Sequence, residues 1–221
     1  AVAGHRYLFD CIVPGGVAHD LTPAAAPELA RLAQATRDEV QPLLELYEEH
    51  AGVQDRFTGT GILTPALAAQ LGAIGLAGRA SSQAWDARVQ FPWPPYDALE
   101  VQMVLERSGD VAARARVRAG ELLESLRLLE HIAGNLPPGP MAHALPMPEQ
   151  VCEGLGWVEG WRGPVLVHAR MGPDGRLDRV HPHDPSWQNW PLLELAVLGN
   201  IVPDFPLINK SFNLSYSGAD L

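Results

Sequence analysis

The chain has 221 residues, 47% hydrophobic and 19% charged, with a formal net charge of −10 and a pI near 5.2. That much apolar material can build a sizeable core and excludes a globally disordered chain. The acidic excess excludes nucleic acid as the main partner, and the length fits one large domain or two small ones.

Cys11 and Cys152 lie far apart and outside any CxxC pair, so the chain has no cysteine-pair metal or redox motif. They read as buried small hydrophobes, with a disulfide between them as the minority alternative. No stretch approaches the ~18 apolar residues of a membrane span, and no signal-peptide pattern opens the chain. It therefore reads as a soluble chain, free to dock on a membrane-bound partner. It opens at Ala1 without an initiator methionine, as a fragment or a processed form would.

In chain order, Gly4-His5-Arg6 through Pro14-Gly15-Gly16-Val17 reads as an extended apolar segment ending in a turn. Asp20-Leu21-Thr22-Pro23 offers a helix start, with Thr22 as N-cap and Pro23 at the first helical position. Leu29, Leu32, Ala33, Thr36, Val40, Leu43, Leu44 and Tyr47 recur at helical spacing. Pro42 should kink or split this helix, and Ala51-Gly52 should end it. Residues 56–96 are rich in glycine and proline around a short helix from Pro65 to Leu71. A connection of that length is either functional or pinned by its neighbours.

The longest helix is predicted over about 109–134. Its apolar stripe is Val111, Ala115, Ala119, Leu122, Leu126, Leu129 and Ala133; Arg114, Arg116, Arg118, Glu121, Glu124 and Arg127 take the other faces. Leu136-Pro137-Pro138-Gly139-Pro140 stops it. Trp157 to His181 reads as strands with a hairpin turn at Pro173-Asp174-Gly175. A last helix runs from Trp187 to Leu198, then a turn at Pro203-Asp204-Phe205-Pro206. The tail from Ser211 to Leu221 is rich in Ser, Asn and Tyr, which suits a chain end turned inward with its polar groups hydrogen-bonded. The plainer alternative is a docked segment that only completes a core. The fold class is mainly α with a small antiparallel β-hairpin or sheet. A single domain over 1–221 would hold a helical core at about 22–136, a hairpin at about 156–182 and a buried C-terminal segment at about 203–221.

Four constellations carry chemistry. His181-Pro182-His183-Asp184 could begin a zinc or iron site, or simply leave the hairpin as a loop. Gly75-Leu76-Ala77-Gly78-Arg79-Ala80-Ser81 is a tight turn or a backbone-lined site; without Gly-Lys-Ser/Thr it is no phosphate loop. Asp86 and Arg88 read as a salt bridge. Arg162, between Trp161 and Gly163, reads as a buried, paired network organiser or as a site cation. No Ser/His/Asp triad can be assigned.

Taken together, the motifs resemble the C-terminal half of the large-subunit family of NiFe hydrogenases and respiratory complex I, closest to its energy-converting, membrane-bound branch. Gly4-His5-Arg6 with Gly15-Gly16-Val17 is similar to that family's Gly-x-Arg and Gly-Gly-Val segment. The 58–61 and 75–81 stretches, Asp86-Ala87-Arg88, the long helix and the 136–140 stop follow in the family's order. Glu159-Gly160-Trp161-Arg162-Gly163 resembles its Glu-x-Pro-Arg-Gly hairpin entry.

The resemblance implies a subunit of a hydrogenase-like or NADH:quinone oxidoreductase-like electron-transfer complex. It implies an iron–sulfur small subunit and other subunits as partners, a cytoplasmic position peripheral to the inner membrane, and a cavity for quinone or another acceptor. Ser215 and Gly218 stand where the family's terminal CxxC pair binds nickel, so no metal is expected on this chain and no NiFe hydrogenase activity from it alone. The other CxxC pair and the quinone-contacting His and Tyr belong to an N-terminal half of the family. Arg162 would overhang the cavity and Asn213, Ser215 and Gly218 would floor it, with Arg79, Asp86, Arg88 and Glu159 supporting them. A non-catalytic scaffold role is the alternative.

Overall fold

The computed structural model describes residues 7–22 and 24–220. Gly4-His5-Arg6, the Pro23 helix position and Leu221 therefore lie outside the described residues. The opening segment is a small hairpin rather than a single extended run: β1 (Ile12–Val13) pairs antiparallel with β2 (Gly16–Val17). Gly15 has φ +89°, a left-handed conformation that favours glycine. The hairpin leans on a later segment, with the Val17 N–H donating to the Met141 carbonyl at 2.9 Å and the His143 N–H to the Gly15 carbonyl at 3.0 Å.

Helix α1 spans Ala25–Glu49. The expected Thr22 side-chain cap does not form; the Thr22 carbonyl accepts from the Ala25 N–H at 2.8 Å instead. Pro42 does not split the helix. It lies on the exposed side, where water can satisfy the carbonyl that a proline leaves without a donor. Ala51-Gly52 does not end a helix but starts one, α2 (Ala51–Phe57). The break falls at His50, which turns extended and accepts the Val53 N–H on Nδ1 at 3.2 Å.

Three short helices follow: α3 (Pro65–Gln70), α4 (Gly75–Arg79) and α5 (Ala87–Gln90). Helix α6 (Val111–Gly134) then packs along α1. Asp110 caps it, Oδ1 accepting from the Ala113 N–H at 2.8 Å, while its Oδ2 accepts from the Gly59 N–H at 2.9 Å. One carboxylate thus starts the longest core helix and pins the glycine-rich 58–61 loop.

The expected hairpin is a three-stranded antiparallel sheet in the order β3-β4-β5: β3 (Cys152–Gly160), β4 (Gly163–Met171) and β5 (Leu177–His183). Trp161-Arg162 is itself a two-residue turn, closed by the Gly160–Gly163 pair. Helix α7 (Pro185–Ala196) starts before Trp187 because Asp184 caps it and Pro185 fits its first turn. The Pro203–Pro206 stretch is not a plain turn. It contains a 3₁₀ turn (Val202–Asp204) and opens α8 (Phe205–Phe212), whose proline stands in the first turn, where a missing N–H costs nothing.

The main core joins α3, α6, α7 and α8 through Ala68, Val111, Leu192, Leu193, Ile208 and Phe212, with Leu63 just ahead of α3. Each of the Val, Leu, Ile and Phe side chains contributes about 1.5–3 kcal/mol on burial. The α6 stripe is rotated from the one expected: Leu129 is exposed, whereas Arg114 and Glu124 are buried. The C-terminal segment turns inward only in part. Ser211, Phe212, Leu214 and Gly218 are buried, but Asn213, Tyr216 and Ser217 face solvent. Neither cysteine is the buried small hydrophobe expected: Cys11 is half-buried and Cys152 is exposed.

Candidate functional site

The four cavity candidates meet at one pole of the molecule. Gly75 has φ +59°, and a side chain there would run into the Arg162 carbonyl, so glycine lets α4 touch the Trp161-Arg162 turn. That contact carries Arg162 towards the C-terminal segment. Its Nε donates to the carbonyl of Asn213, which ends α8 in a left-handed conformation, φ 54° and ψ 39°. Arg162 is half-buried and pairs with a carbonyl, not with a carboxylate as a buried organiser would.

The segment beyond Asn213 is tied to the start of α7. Ser215 N–H donates to Ser186 Oγ at 2.9 Å, and Ser186 N–H donates to Asp184 Oδ1 at 2.7 Å. Gly218 N–H donates to Ser215 Oγ at 3.0 Å, and Ser215 Oγ lies 3.2 Å from Ser217 Oγ. Asp184, a candidate metal ligand in the sequence, and Ser186, which no sequence motif singles out, are thus members of this pole. A Cβ at Gly218 would lie 2.7 Å from Asp184 Cγ, so in this packing position 218 must lack a side chain.

Nickel does not fit these residues. Ser215 and Gly218 offer a neutral hydroxyl already engaged in hydrogen bonds and no side chain, where a soft centre needs thiolates. A cavity of about 40 Å³ reaches Gly218 between His181, His183, Asp184 and Trp187, room for water rather than for a ring. His181 and His183 share one face of β5, but His183 packs edge-on against Trp187. Among the described residues, no group of three or more His, Cys, Asp or Glu side chains could hold a metal ion. The metal reading of His181, His183 and Asp184 loses its third ligand accordingly.

The four supporting candidates do come together, as a buried ionic network between α4, α5, α6 and β3. Arg79, 1% exposed, donates from Nε to Glu121 Oε1 and from Nη1 to Glu159 Oε1 at 2.9 Å and to the Trp85 carbonyl at 3.0 Å. Asp86 holds Arg88 in a two-pronged pair, Nε–Oδ1 at 3.0 Å and Nη2–Oδ2 at 2.7 Å. Glu159 Oε2 accepts the Ala87 N–H at 3.1 Å, which fixes α5 to the sheet.

Three carboxylates face two guanidiniums in this network. Burial pulls the Asp86 carboxyl upward, but Arg88 and Arg79 hold it below the usual carboxylate range. For Glu159 burial wins, and its pKa is raised despite Arg79 and the Ala87 N–H. Sequence patterning does not reveal Glu121 as a member, because only the fold brings its face of α6 under Arg79.

A second buried cation also escapes the sequence pattern. Arg114, fully buried, donates to Ser211 Oγ at 2.8 Å, the Gly109 carbonyl at 2.6 Å and the Gly61 carbonyl at 2.9 Å. Its guanidinium carbon lies 4.2 Å from the centre of the Phe212 ring. Burial pushes its pKa down to about 9, with Asp110 opposing the shift and the Arg118 charge adding to it. The available signal is its place three residues after Val111 and three before Val117, both buried.

The described residues thus form a mainly helical body, a three-stranded sheet docked through an arginine turn, and a C-terminal segment folded against a capped helix. Residues 1–152 match the family model of the respiratory-chain NADH dehydrogenase 49 kDa subunit, and the chain belongs to that family. It is 31% identical over 217 residues to the carbon monoxide-induced hydrogenase of Rhodospirillum rubrum, covering 96% of this chain and 59% of that protein. It is 31% identical over 221 residues to formate hydrogenlyase subunit 5 of Escherichia coli (strain K12), covering 99% of this chain and 38% of that protein. NADH-quinone oxidoreductase subunit 4 of Thermus thermophilus is 31% identical over 239 residues, covering 96% of this chain and 58% of that protein. Among solved structures, a chain of the archaeal membrane-bound sulfane sulfur reductase superposes with a TM-score of 0.84 at 25% identity, covering 95% of this chain and 59% of that one. The chain thus spans less than two thirds of the length of these relatives. Among the described residues no helix is long and apolar enough to cross a membrane.

Proposed function

We propose that this chain is part of the large subunit of a membrane-associated electron-transfer complex, and that its nickel position has become a metal-free, hydrogen-bonded pole. The observation that carries the reading is the hydrogen bond from Gly218 N–H to Ser215 Oγ, braced by Ser186 and Asp184, at the two residues that the family resemblance would set in the nickel positions. An iron–sulfur small subunit would pack nearby, and the complex would lie against the cytoplasmic side of the inner membrane through its partners. Arg162 would supply positive charge beside an acceptor such as a quinone, with Asn213, Ser215 and Gly218 forming the floor. Arg79, Asp86, Arg88 and Glu159 would hold the sheet that carries Arg162. The Gly218 cavity is too small for a ring, so the acceptor site needs walls from a partner polypeptide.

That small cavity also supports the second reading, a scaffold that kept the fold and lost the chemistry. The test is purification of the tagged chain from its native host in mild detergent. Iron and acid-labile sulfide in a co-purifying partner, with reduction of a short-chain quinone that falls in Arg162→Ala while the complex stays assembled, supports the catalytic reading. Reduction indifferent to that substitution selects the scaffold. A chain that purifies without any iron–sulfur companion contradicts both.

A further inference from the structure

Helix α7 has two unlike faces. One enters the body through Leu192, Leu193 and Ala196. On that side Asn189 clips the helix to the Ile74 backbone, Nδ2 donating to the carbonyl at 3.1 Å and Oδ1 accepting from the N–H at 3.3 Å. The other face carries Trp187, Trp190, Pro191 and Glu194, at the i, i+3, i+4 and i+7 spacing of one helical side. Tyr216 and Ala219 of the C-terminal segment flank it, and together these six residues line a groove of about 350 Å³.

The groove is built from aromatic rings and acceptors. The Trp190 and Tyr216 rings lie 5.2 Å apart, inclined by 44°. Trp190 already uses its single donor, Nε1, on the Ser215 carbonyl at 3.4 Å, and the Tyr216 hydroxyl accepts from Asn209 Nδ2 at 3.1 Å. Trp187 and Tyr216 are 61% and 71% exposed, so the groove lies at the surface. Glu194 adds an exposed carboxylate. Pro191 lacks the N–H that would bond the Trp187 carbonyl in a regular helix, which leaves that carbonyl without its helical donor. No lysine or arginine lines the groove among the described residues, and the sequence has none from Val180 to Asn209.

Ring faces beside an unopposed carboxylate attract a cation. The acceptors decide which kind. A quaternary ammonium has no N–H to give a carboxylate, whereas a guanidinium is planar, stacks on an indole and forks onto a carboxylate. The net charge of −10 adds a longer-range pull on a basic surface. We propose that the α7 groove is the docking site for an arginine side chain presented by another subunit of the complex. The proposal rests on the subunit part of the reading above and not on its nickel or quinone part.

The test uses the tagged complex from the native host, with a photo-reactive benzoylphenylalanine at position 216, an aromatic replacing an aromatic. The expected cross-link joins this chain to a different polypeptide, at a peptide that contains an arginine. Glu194→Lys should then weaken retention of that polypeptide about 10-fold or more, and replacing its cross-linked arginine by glutamate should restore retention to the Glu194→Lys chain. Glu194 is exposed, so the variant folds, and an unchanged thermal midpoint of the isolated chain verifies this. A cross-link to a lipid, to a second copy of this chain or to another segment of the same polypeptide overturns the proposal. So does a cross-linked peptide without arginine, the lack of any cross-link in an assembled complex, or a charge swap that restores nothing. None of these failures alters the iron and quinone measurements, so they remain distinct from a failure of the electron-transfer reading.

Discussion

The helical body and the protruding sheet follow opposite rules. The body buries even its charges: Arg79, Asp86 and Arg114 are each at most 1% exposed, and every one is held by several partners. The sheet leaves even its valines in water. Buried ions are costly unless fully satisfied, so a chain that keeps them has committed those elements to one arrangement. Exposed valines carry no such commitment; they are stable here only because strand pairing and one anchored end hold them. Local completeness therefore marks what this chain can hold alone, and the sheet marks what it needs another layer to finish.

Breaking the body should cost most. Arg79→Leu strands Glu121, Glu159 and Asp86 without their shared cation, and a loss of about 3–5 kcal/mol is expected. Thermal unfolding should show a fall in midpoint of many degrees or a chain that no longer folds; an unchanged midpoint would mean that the network is not buried as described. Arg114→Lys keeps a charge but loses the fork that reaches Gly61, Gly109 and Ser211 together. About 1–3 kcal/mol for each unsatisfied buried group applies there, read by urea unfolding.

Gly218→Ala should cost about 1–3 kcal/mol through overpacking against Asp184, and Gly218→Ala with Asp184→Ala should recover part of it. A neutral Gly218→Ala would show that the C-terminal pole is loose.

Acid sharpens the comparison further. Asp86 has a folded-state pKa below its ordinary value, so the stability it provides is present above about pH 4 and is lost as pH falls through the lowered value. Glu159 is shifted the other way, so the folded state takes up its proton first and its own contribution favours folding as pH falls through the raised value. Asp86→Asn should flatten the loss of stability below about pH 4, whereas Glu159→Gln should not; unfolding followed from neutral pH to about pH 2 separates them. The smallest effect is expected in the sheet. Val167→Lys in the isolated chain should change stability by no more than about 0.5 kcal/mol, because the site is already in water.

Legibility in the sequence follows the same division. Helix α6 and the Arg79, Asp86, Arg88 and Glu159 positions are readable because periodicity and short motifs are local signals. Glu121 and Arg114 are not, since a charged residue on a helix reads as solvent-facing until the opposing elements are known. The first half of β3 is hidden because Gly154 and Gly156 interrupt its alternation, and α8 is hidden by Pro203 and Pro206, which mark a turn and a helix start equally well. At the pole, Ser215 and Gly218 stand out in the sequence, but Asp184 and Ser186 become partners only when α7 and the tail meet.

The central claim is that the nickel position has become a metal-free pole in a chain that still serves an electron-transfer complex. Elemental analysis for nickel, iron and zinc on the complex purified from its native host tests it most directly. The account predicts no nickel, and iron with acid-labile sulfide confined to a partner polypeptide. Nickel at one per complex, lost on Ser215→Ala, would contradict it.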